Sequence, residues 1–170
     1  MNVPGLGELK DWTFWSNCSD PVPVAMFGGK PCRVALFGYD KYPLKEEFHV
    51  TVANFLSGTP AVLREADEPL FRYYKVLESG WLKLGHRAIT SADELWRRVQ
   101  FPDVVLVERR AFRDKGVYVS IECNCDWEEE HGLQLVLKNG LKVNKLGGHD
   151  GHLTNSDAYG DDSLEYVIYC

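Results

Sequence analysis

Residues 117–127, VYVSIECNCDW, alternate strictly between two kinds of side chain. The apolar set consists of Val117, Val119, Ile121, Cys123, Cys125 and Trp127, and the other set of Tyr118, Ser120, Glu122, Asn124 and Asp126. Successive side chains of a β-strand point to opposite faces of the sheet. The alternation therefore predicts a strand with one face in the core and the other in water.

Glycine-containing turns mark two predicted hairpins. Asn139-Gly140 separates the apolar runs 133–137 and 141–146, which is the pattern of a tight β-hairpin. Gly28-Gly29 lies between two further apolar runs within residues 22–39 and predicts a second hairpin. A β-branched run at 104–108 predicts another strand.

Between these regions the apolar residues recur with the period of an α-helix. The first stripe consists of Phe48, Val52, Phe55 and Leu56. A second helical stripe begins after Thr59-Pro60 and continues to about residue 78, with Pro69 predicted to kink or split it. Ser91, followed three residues later by Glu94, is a capping box and predicts a short third helix.

The order of these elements predicts the fold class. Strands, then helices, then strands indicate one α+β domain over residues 1–170, with a mostly antiparallel sheet and with an αα-hairpin and a short helix packed on one face. Within it we distinguish an N-terminal β-hairpin region (9–39), a helical region (45–99) and a C-terminal β region (103–170). Because strands and helices do not alternate, no parallel crossover is expected.

Composition and charge exclude several classes of protein. A hydrophobic content of 45% in 170 residues is typical of a globular domain, and no apolar run approaches the length of a membrane helix. The net charge of −6 argues against nucleic-acid binding. Five cysteines and the absence of a secretory signal at the N-terminus predict reduced thiols in a cytoplasmic protein.

The negative charge is concentrated in the last third of the chain. Residues 1–119 carry 16 Lys and Arg against 15 Asp and Glu, whereas residues 120–170 carry three Lys against ten Asp and Glu. Such a region can bind cations, attract a basic protein partner or simply keep the domain soluble. The one basic cluster, Arg109, Arg110, Arg113 and Lys115, lies between two predicted strands. Exposed loop charge is its default interpretation, and pairing with the acidic third or contact with an anion are the alternatives.

Two stretches contain the candidate site residues. Residues 128–132 place three carboxylates and a histidine at a strand end, and residues 149–162 concentrate two histidines and four carboxylates in one loop. From them we select Glu130, His131, His149, Asp150, His152, Asn155, Asp157 and Tyr159 as candidate binding residues. The 149–162 loop has three interpretations, namely an ordered structural loop, a site for a hard cation and a partner-binding surface.

No catalytic residue, metal site or cofactor is assigned. The GxSxG, Walker A, GxGxxG and HExxH patterns are absent from the sequence. Cys123 and Cys125 share a predicted strand face with Val119 and Ile121. Thiols among such neighbours are expected to be buried core residues rather than zinc ligands, which usually follow CxxC spacing.

Several motifs of the last third resemble a bacterial family of uncharacterised domains. They are CNCDWE (123–128), HGLQLV (131–136), Asn139-Gly140 and DGHLTNSDAY (150–159). The resemblance extends back through Leu95-Trp96 and KGVY (115–118), and it implies no catalytic residue. In size and acidity such domains resemble the small proteins that neutralise bacterial toxins.

Three functional hypotheses follow. The leading one is a non-enzymatic binding domain, of the immunity type, whose acidic C-terminal third binds a basic protein. The alternative is a metal-dependent, hydrolase-like enzyme with its site in the 149–162 loop. The third is a scaffold or oligomerisation unit, because five Trp and eight Tyr provide aromatic surface for an interface.

Overall fold

The strand predicted at 117–127 spans Val117–Cys125 and lies inside a nine-stranded sheet in the computed structural model, which describes residues 1–170. The strands in chain order are β1 (Asn2–Val3), β2 (Gly7–Glu8), β3 (Lys10–Trp12), β4 (Trp15–Cys18), β5 (Val22–Val24), β6 (Lys30–Phe37), β7 (Val99–Gln100), β8 (Val104–Arg109), β9 (Val117–Cys125), β10 (Glu128–Lys138) and β11 (Lys142–Gly147). The α-helices are α1 (Glu46–Ser57), α2 (Asp67–Lys83), α3 (Ala92–Trp96) and α4 (Asn155–Tyr159). Four 3₁₀ helices span Ala25–Phe27, Tyr39–Lys41, Pro60–Ala66 and Asp162–Leu164.

The sheet joins the N-terminal and C-terminal strands. Its order is β11-β10-β9-β8-β6-β4-β3, with β5 beside β6 and β7 beside β9, while β1 and β2 form a separate two-stranded sheet. Both predicted hairpins are confirmed, since β5 pairs antiparallel with β6 and β10 with β11. The predicted fold class, a single α+β domain with a mostly antiparallel sheet, is confirmed.

The expectation that the sheet has no parallel crossover is wrong for one pair of strands. Strands β6 and β8 run parallel, with Val34 opposite Val105 and Leu36 opposite Val107. Helices α1, α2 and α3 lie in the chain between them. The helical region therefore serves as the crossover connection that a parallel pair requires.

Helices cover one face of the sheet. Phe48, Val52 and Phe55 of α1 and Leu70 and Tyr74 of α2 are fully buried in the main core. The apolar set of β9, including both of its cysteines, lies in the same core, as predicted.

Pro69 does not break α2. It lies in the first turn of this helix, where a missing backbone N–H removes no helical hydrogen bond. The predicted interruption is instead a change from 3₁₀ to α-helix between Ala66 and Asp67. None of the helices is long and apolar enough to cross a membrane.

The turn between β10 and β11 requires glycine. Asn139 and Gly140 have φ angles of 51° and 80°, the left-handed pair that a tight hairpin uses. A Cβ atom on Gly140 would lie 2.4 Å from the carbonyl oxygen of Thr51. The hairpin and α1 therefore approach each other more closely than any side chain at this position allows.

The second face of β9 is only partly in water, which corrects the prediction. Tyr118 and Ser120 are 0% and 3% exposed, whereas Glu122, Asn124 and Asp126 are exposed as expected. Residues 148–170, which we call the C-terminal segment, return across this face of the sheet. Tyr118 packs there against Val136 and Leu153 in a small second core.

Candidate functional site

A buried arginine holds the C-terminal segment on the sheet. Arg110 follows β8 directly and is 3% exposed. Its Nε and Nη2 atoms donate to the two carboxylate oxygens of Asp157 at 2.7 and 2.8 Å. Nη1 and Nη2 donate to the two oxygens of Glu165 at 2.5 and 2.9 Å. Arg110 thus makes bidentate contacts with two carboxylates, the geometry in which a guanidinium binds most strongly.

The remaining N–H of Arg110, on Nη1, lies 3.5 Å from Asp114 Oδ1. Nη2 lies 3.1 Å from the hydroxyls of both Thr154 and Ser156. The hydrogen bonds that Arg110 donates raise its own pKa and lower the pKa of the Asp157 and Glu165 carboxyls. All three groups are therefore ionised at neutral pH, and Arg110 has no free N–H with which to bind a ligand.

Local capping explains why the C-terminal segment takes this shape. The Thr154 hydroxyl accepts the backbone N–H of Asp157 at 3.0 Å and caps the short helix α4. Gly160, with φ of 67°, ends the helix. The Asn155 amide donates to the carbonyls of Val167 and Ile168 at 2.8 and 3.2 Å and ties the chain end back to α4.

A second buried cation fixes the start of the segment. Lys145 is 2% exposed and donates to Gln134 Oε1 at 2.9 Å and to Asp150 Oδ1 at 2.7 Å. Burial opposes ionisation of Asp150, but the hydrogen bonds from Lys145 and from the His152 N–H, together with the charge of Lys145, outweigh it and lower the pKa of this carboxyl. Asp150 also accepts the backbone N–H of His152 at 2.9 Å. The interpretation of residues 149–162 as an ordered structural loop accounts for Asp150, Asn155 and Asp157.

Two of the candidate residues line a common cleft. His152 and Asp157 border a cavity of about 600 Å³ between the C-terminal segment and the ends of β6 and β8. Glu108 lines the same cavity, and burial, together with the nearby charge of Glu122, raises its pKa. The sequence interpretation missed Glu108, because a single carboxylate in a β-branched run has no pattern that marks it.

The other candidates lie apart from this cleft. His149 Nε2 is 3.1 Å from Glu122 Oε1 on the open part of the sheet face. Tyr159 is 65% exposed, and Glu130 and His131 are exposed at the start of β10. No group of three His, Cys, Asp or Glu side chains is close enough together to hold a metal ion.

Cys123 and Cys125 lie on the opposite, helix-covered face of the sheet. Cys123 and Cys125 are each 4% exposed, and every cysteine of the chain is a free thiol. Burial raises the pKa of both thiols, that of Cys125 to about 12. These two side chains therefore behave as small apolar core residues.

The sequence interpretation of the basic cluster was partly wrong. The prediction that its members are exposed loop charges is wrong for Arg110, whereas the alternative, that the cluster pairs with the acidic last third, is confirmed for this residue. Arg113 joins the same network, with Nε 3.3 Å from Asp157 and with a second ion pair to Asp162. Much of the acidity of the C-terminal segment is thus neutralised inside the protein.

A run of acidic residues lies where β9 turns into β10. We call residues 126–130, which run from the end of β9 into the first residues of β10, the acidic turn; its acidic members are Asp126, Glu128, Glu129 and Glu130. Asp126 pairs with Arg98 at 2.7 Å, and Glu128 lies 3.5 Å from His131. Glu129 and Glu130 are exposed and form no ion pair.

Apolar side chains adjoin the acidic turn. A cavity of about 560 Å³ separates the turn from the end of α2. Its apolar lining consists of Leu77, Trp81, Leu84 and Trp127. Leu84 is 76% exposed. Carboxylates beside an apolar groove are the chemistry that recognises a basic, amphipathic segment of another protein.

Fold and site together define an α+β domain whose sheet is covered by helices on one face and by an ionically anchored C-terminal segment on the other. The chain belongs to the family described as Domain of unknown function (DUF6985), which it matches over residues 5–153. The expected resemblance to a family of uncharacterised domains is confirmed at that level. No curated protein and no solved structure matches the chain.

Proposed function

We propose that this protein is a non-enzymatic binding domain of the immunity type, which binds a basic protein partner through the acidic turn and the adjoining groove. The proposal rests on how the negative charge of the last third of the chain is distributed between internal ion pairs and the exposed surface. Asp150, Asp157 and Glu165 are bound by Lys145 and Arg110 inside the protein. Among the carboxylates that remain exposed in this third, Glu129 and Glu130 of the acidic turn are adjacent, form no ion pair and adjoin the apolar groove.

The location of this charge supports binding over a merely solubilising role. Glu129 and Glu130 lie beside the exposed apolar side chain of Leu84 rather than on an all-polar surface. Exposed carboxylates steer an oppositely charged partner and raise the association rate, while apolar contacts slow dissociation. Such a complex weakens as salt screens the charges.

The partner to test first is the product of the neighbouring gene, because binding pairs of this type are commonly encoded together. Association with the purified product is measured by surface plasmon resonance at several salt concentrations. We expect the double variant Glu129→Gln/Glu130→Gln to associate several-fold more slowly and to show a weaker salt dependence. Leu84→Ala is expected to dissociate faster with an unchanged association rate.

Glu68→Gln is the matched control. Glu68 is an exposed carboxylate at the opposite end of α2, outside the groove, and its loss should leave both rates unchanged. No binding at low salt, or equal effects of the control and the double variant, would contradict the proposal.

The enzyme alternative loses two of the residues that the sequence suggested, keeps His152 and gains Glu108. Asp150 and Asp157 are occupied by Lys145 and Arg110, so neither is free to act as a ligand or base. Glu108, whose pKa is raised, and His152 line one cleft and are the acid–base candidates that remain. A substrate screen in which Glu108→Gln abolishes an activity of the purified protein would favour this alternative.

A further inference from the structure

Arg109 is the most incompletely bonded charged group of the protein. Its side chain is only 9% exposed. Three buried side-chain atoms in the chain lack a hydrogen-bond partner, and two of them are Nε and Nη2 of Arg109. Unbonded N–H groups of a buried guanidinium are costly and rare in native proteins, and a water or an ion is one of the partners that can satisfy them.

The contacts that Arg109 does make show what is missing. Nη1 donates to the backbone carbonyl of Lys115 at 2.6 Å. Nη2 lies 2.5 Å from Glu47 Oε2, so the two charges pair, but the N–H is not aligned for a hydrogen bond. Nε has no partner. The guanidinium is held over the rings of Tyr42 and Phe48, at 5.1 and 5.7 Å from the ring centroids.

The guanidinium borders a large cleft. Arg109, Glu47 and Lys115 all line a cavity of about 710 Å³ between α1 and the loop from β8 to β9. Lys138, also on its wall, is bound to Asp114 at 2.6 Å. Lys115 is exposed and has no ion-pair partner, so its ammonium group is available to a ligand.

The other cations of the cluster are already used. Arg110 is saturated by Asp157 and Glu165, and Arg113 is paired with Asp157 and Asp162. Glu47 is half-exposed and contacts Arg109 in poor geometry. Its carboxylate therefore occupies the place of an oxyanion and can turn away into solvent.

We propose that Arg109 and Lys115 form a binding site for an oxyanion, a carboxylate or phosphate group of a ligand that enters this cleft and displaces Glu47. The bound oxygens accept the free N–H groups of Arg109 and contact the Lys115 ammonium. Planar guanidinium donors suit such groups because they bind two oxygens at once. The site is separate from the acidic turn, so it stands or falls independently of the proposed partner binding.

The test observes the unbonded atom directly. The Nε–Hε signal of Arg109 is followed by ¹⁵N-edited NMR while inorganic phosphate or citrate is added at constant ionic strength, with chloride as the reference. We expect a saturable shift with a Kd of about 1–10 mM for at least one probe, because a single oxyanion contributes few contacts. The two probes distinguish a preference for phosphate from one for carboxylate.

Substitution of Glu47 separates a binding site from a structural ion pair. Glu47→Gln removes the competing carboxylate and is expected to tighten probe binding about tenfold, the scale of one like charge at contact distance. Lys115→Ala should weaken binding several-fold without loss of folding, since its side chain is exposed. Lys41→Ala is the control, because Lys41 lines the neighbouring cleft beside Arg110, which Arg109 also borders, and does not line the cleft of Lys115.

Several results would overturn the site. An Arg109 Nε–Hε signal that neither probe shifts beyond the chloride reference excludes it. Unchanged or weaker binding by Glu47→Gln, with a lowered melting temperature, makes Glu47 a structural partner of Arg109 only. If Glu47→Gln does not fold, the test uses Lys115→Ala instead. Probe binding by Lys115→Ala that equals that of the original protein contradicts the proposal. A loss of binding by Lys41→Ala places any site in the other cleft.

Discussion

Replacing Arg110 with methionine is expected to destabilise the protein by about 3 kcal/mol. Removing one partner of a buried ion pair costs about 3–5 kcal/mol, because the remaining charges stay desolvated without a counter-ion. Asp157 and Glu165 keep side-chain exposures of 24% and 19%, so water relieves part of the penalty and the lower end of that range applies.

The assay is thermal and urea unfolding followed by circular dichroism. For a chain of this length, about 3 kcal/mol corresponds to a fall in Tm of roughly 6–12 °C. Arg113→Ala is the matched control, since its side chain is 33% exposed and contacts one of the same carboxylates. Exposed ion pairs contribute about 1 kcal/mol or less, so the control should lose at most a few degrees.

A triple variant tests the reason for the loss. Adding Asp157→Asn and Glu165→Gln to Arg110→Met removes the unpaired charges, so part of the lost stability should return. A loss below about 1 kcal/mol in the single variant would refute the claim that Arg110 anchors the segment. A triple variant that is less stable than the single one would refute the charge-based explanation.

Three further predictions concern acid stability, the turn and the thiols. Hydrogen bonds from Lys138, Tyr118 and the Gly116 N–H outweigh burial and lower the pKa of Asp114 to about 2. Because this folded-state pKa lies below the unfolded value of about 4, the contribution of Asp114 to the free energy of unfolding is complete above pH 4 and is lost as the pH falls towards 2. Asp114→Asn should therefore reduce the slope with which the free energy of unfolding, measured with urea at several pH values, falls below pH 4. An unchanged slope would contradict this. Gly140→Ala, where a Cβ would meet the Thr51 carbonyl, should lower stability by about 2–4 kcal/mol. Gly85→Ala, with φ of 85° and no atom within 4 Å, is its control and should lose only the backbone strain of about 1–2 kcal/mol. With Ellman's reagent, Cys170 alone of five thiols should react in the folded protein and all five after unfolding, and fast reaction of a second native thiol would contradict the burial.

Much of the fold was predictable because its signals are local. The period-two pattern of β9, the Asn139-Gly140 turn and the Ser91 cap each depend on neighbouring residues. The Ser91 hydroxyl accepts the Glu94 N–H as the capping box predicts. The backbone preferences of a few consecutive residues determine such features, so they can be recognised without knowledge of the rest of the chain.

The candidate site was predicted less completely. Asp157 and His152 were selected and do border a cleft. Arg110 was not selected, because a run of arginines between strands is usually solvated and nothing nearby distinguishes it from Arg109 or Arg113. Its partners lie 47 and 55 residues away in the chain.

The sequence by itself determined the main strands and helices and that the thiols of β9 belong to the core, whereas α4 lies in the 149–162 stretch that was interpreted as a loop. Tertiary structure alone decided that β6 and β8 pair in parallel, and that the C-terminal segment buries Tyr118 and Ser120. It also decided that Arg110 is saturated while Arg109 keeps unbonded N–H groups. The physical reason is that burial and ion pairing are set by which distant segments meet, and the pattern of neighbouring residues does not specify those meetings.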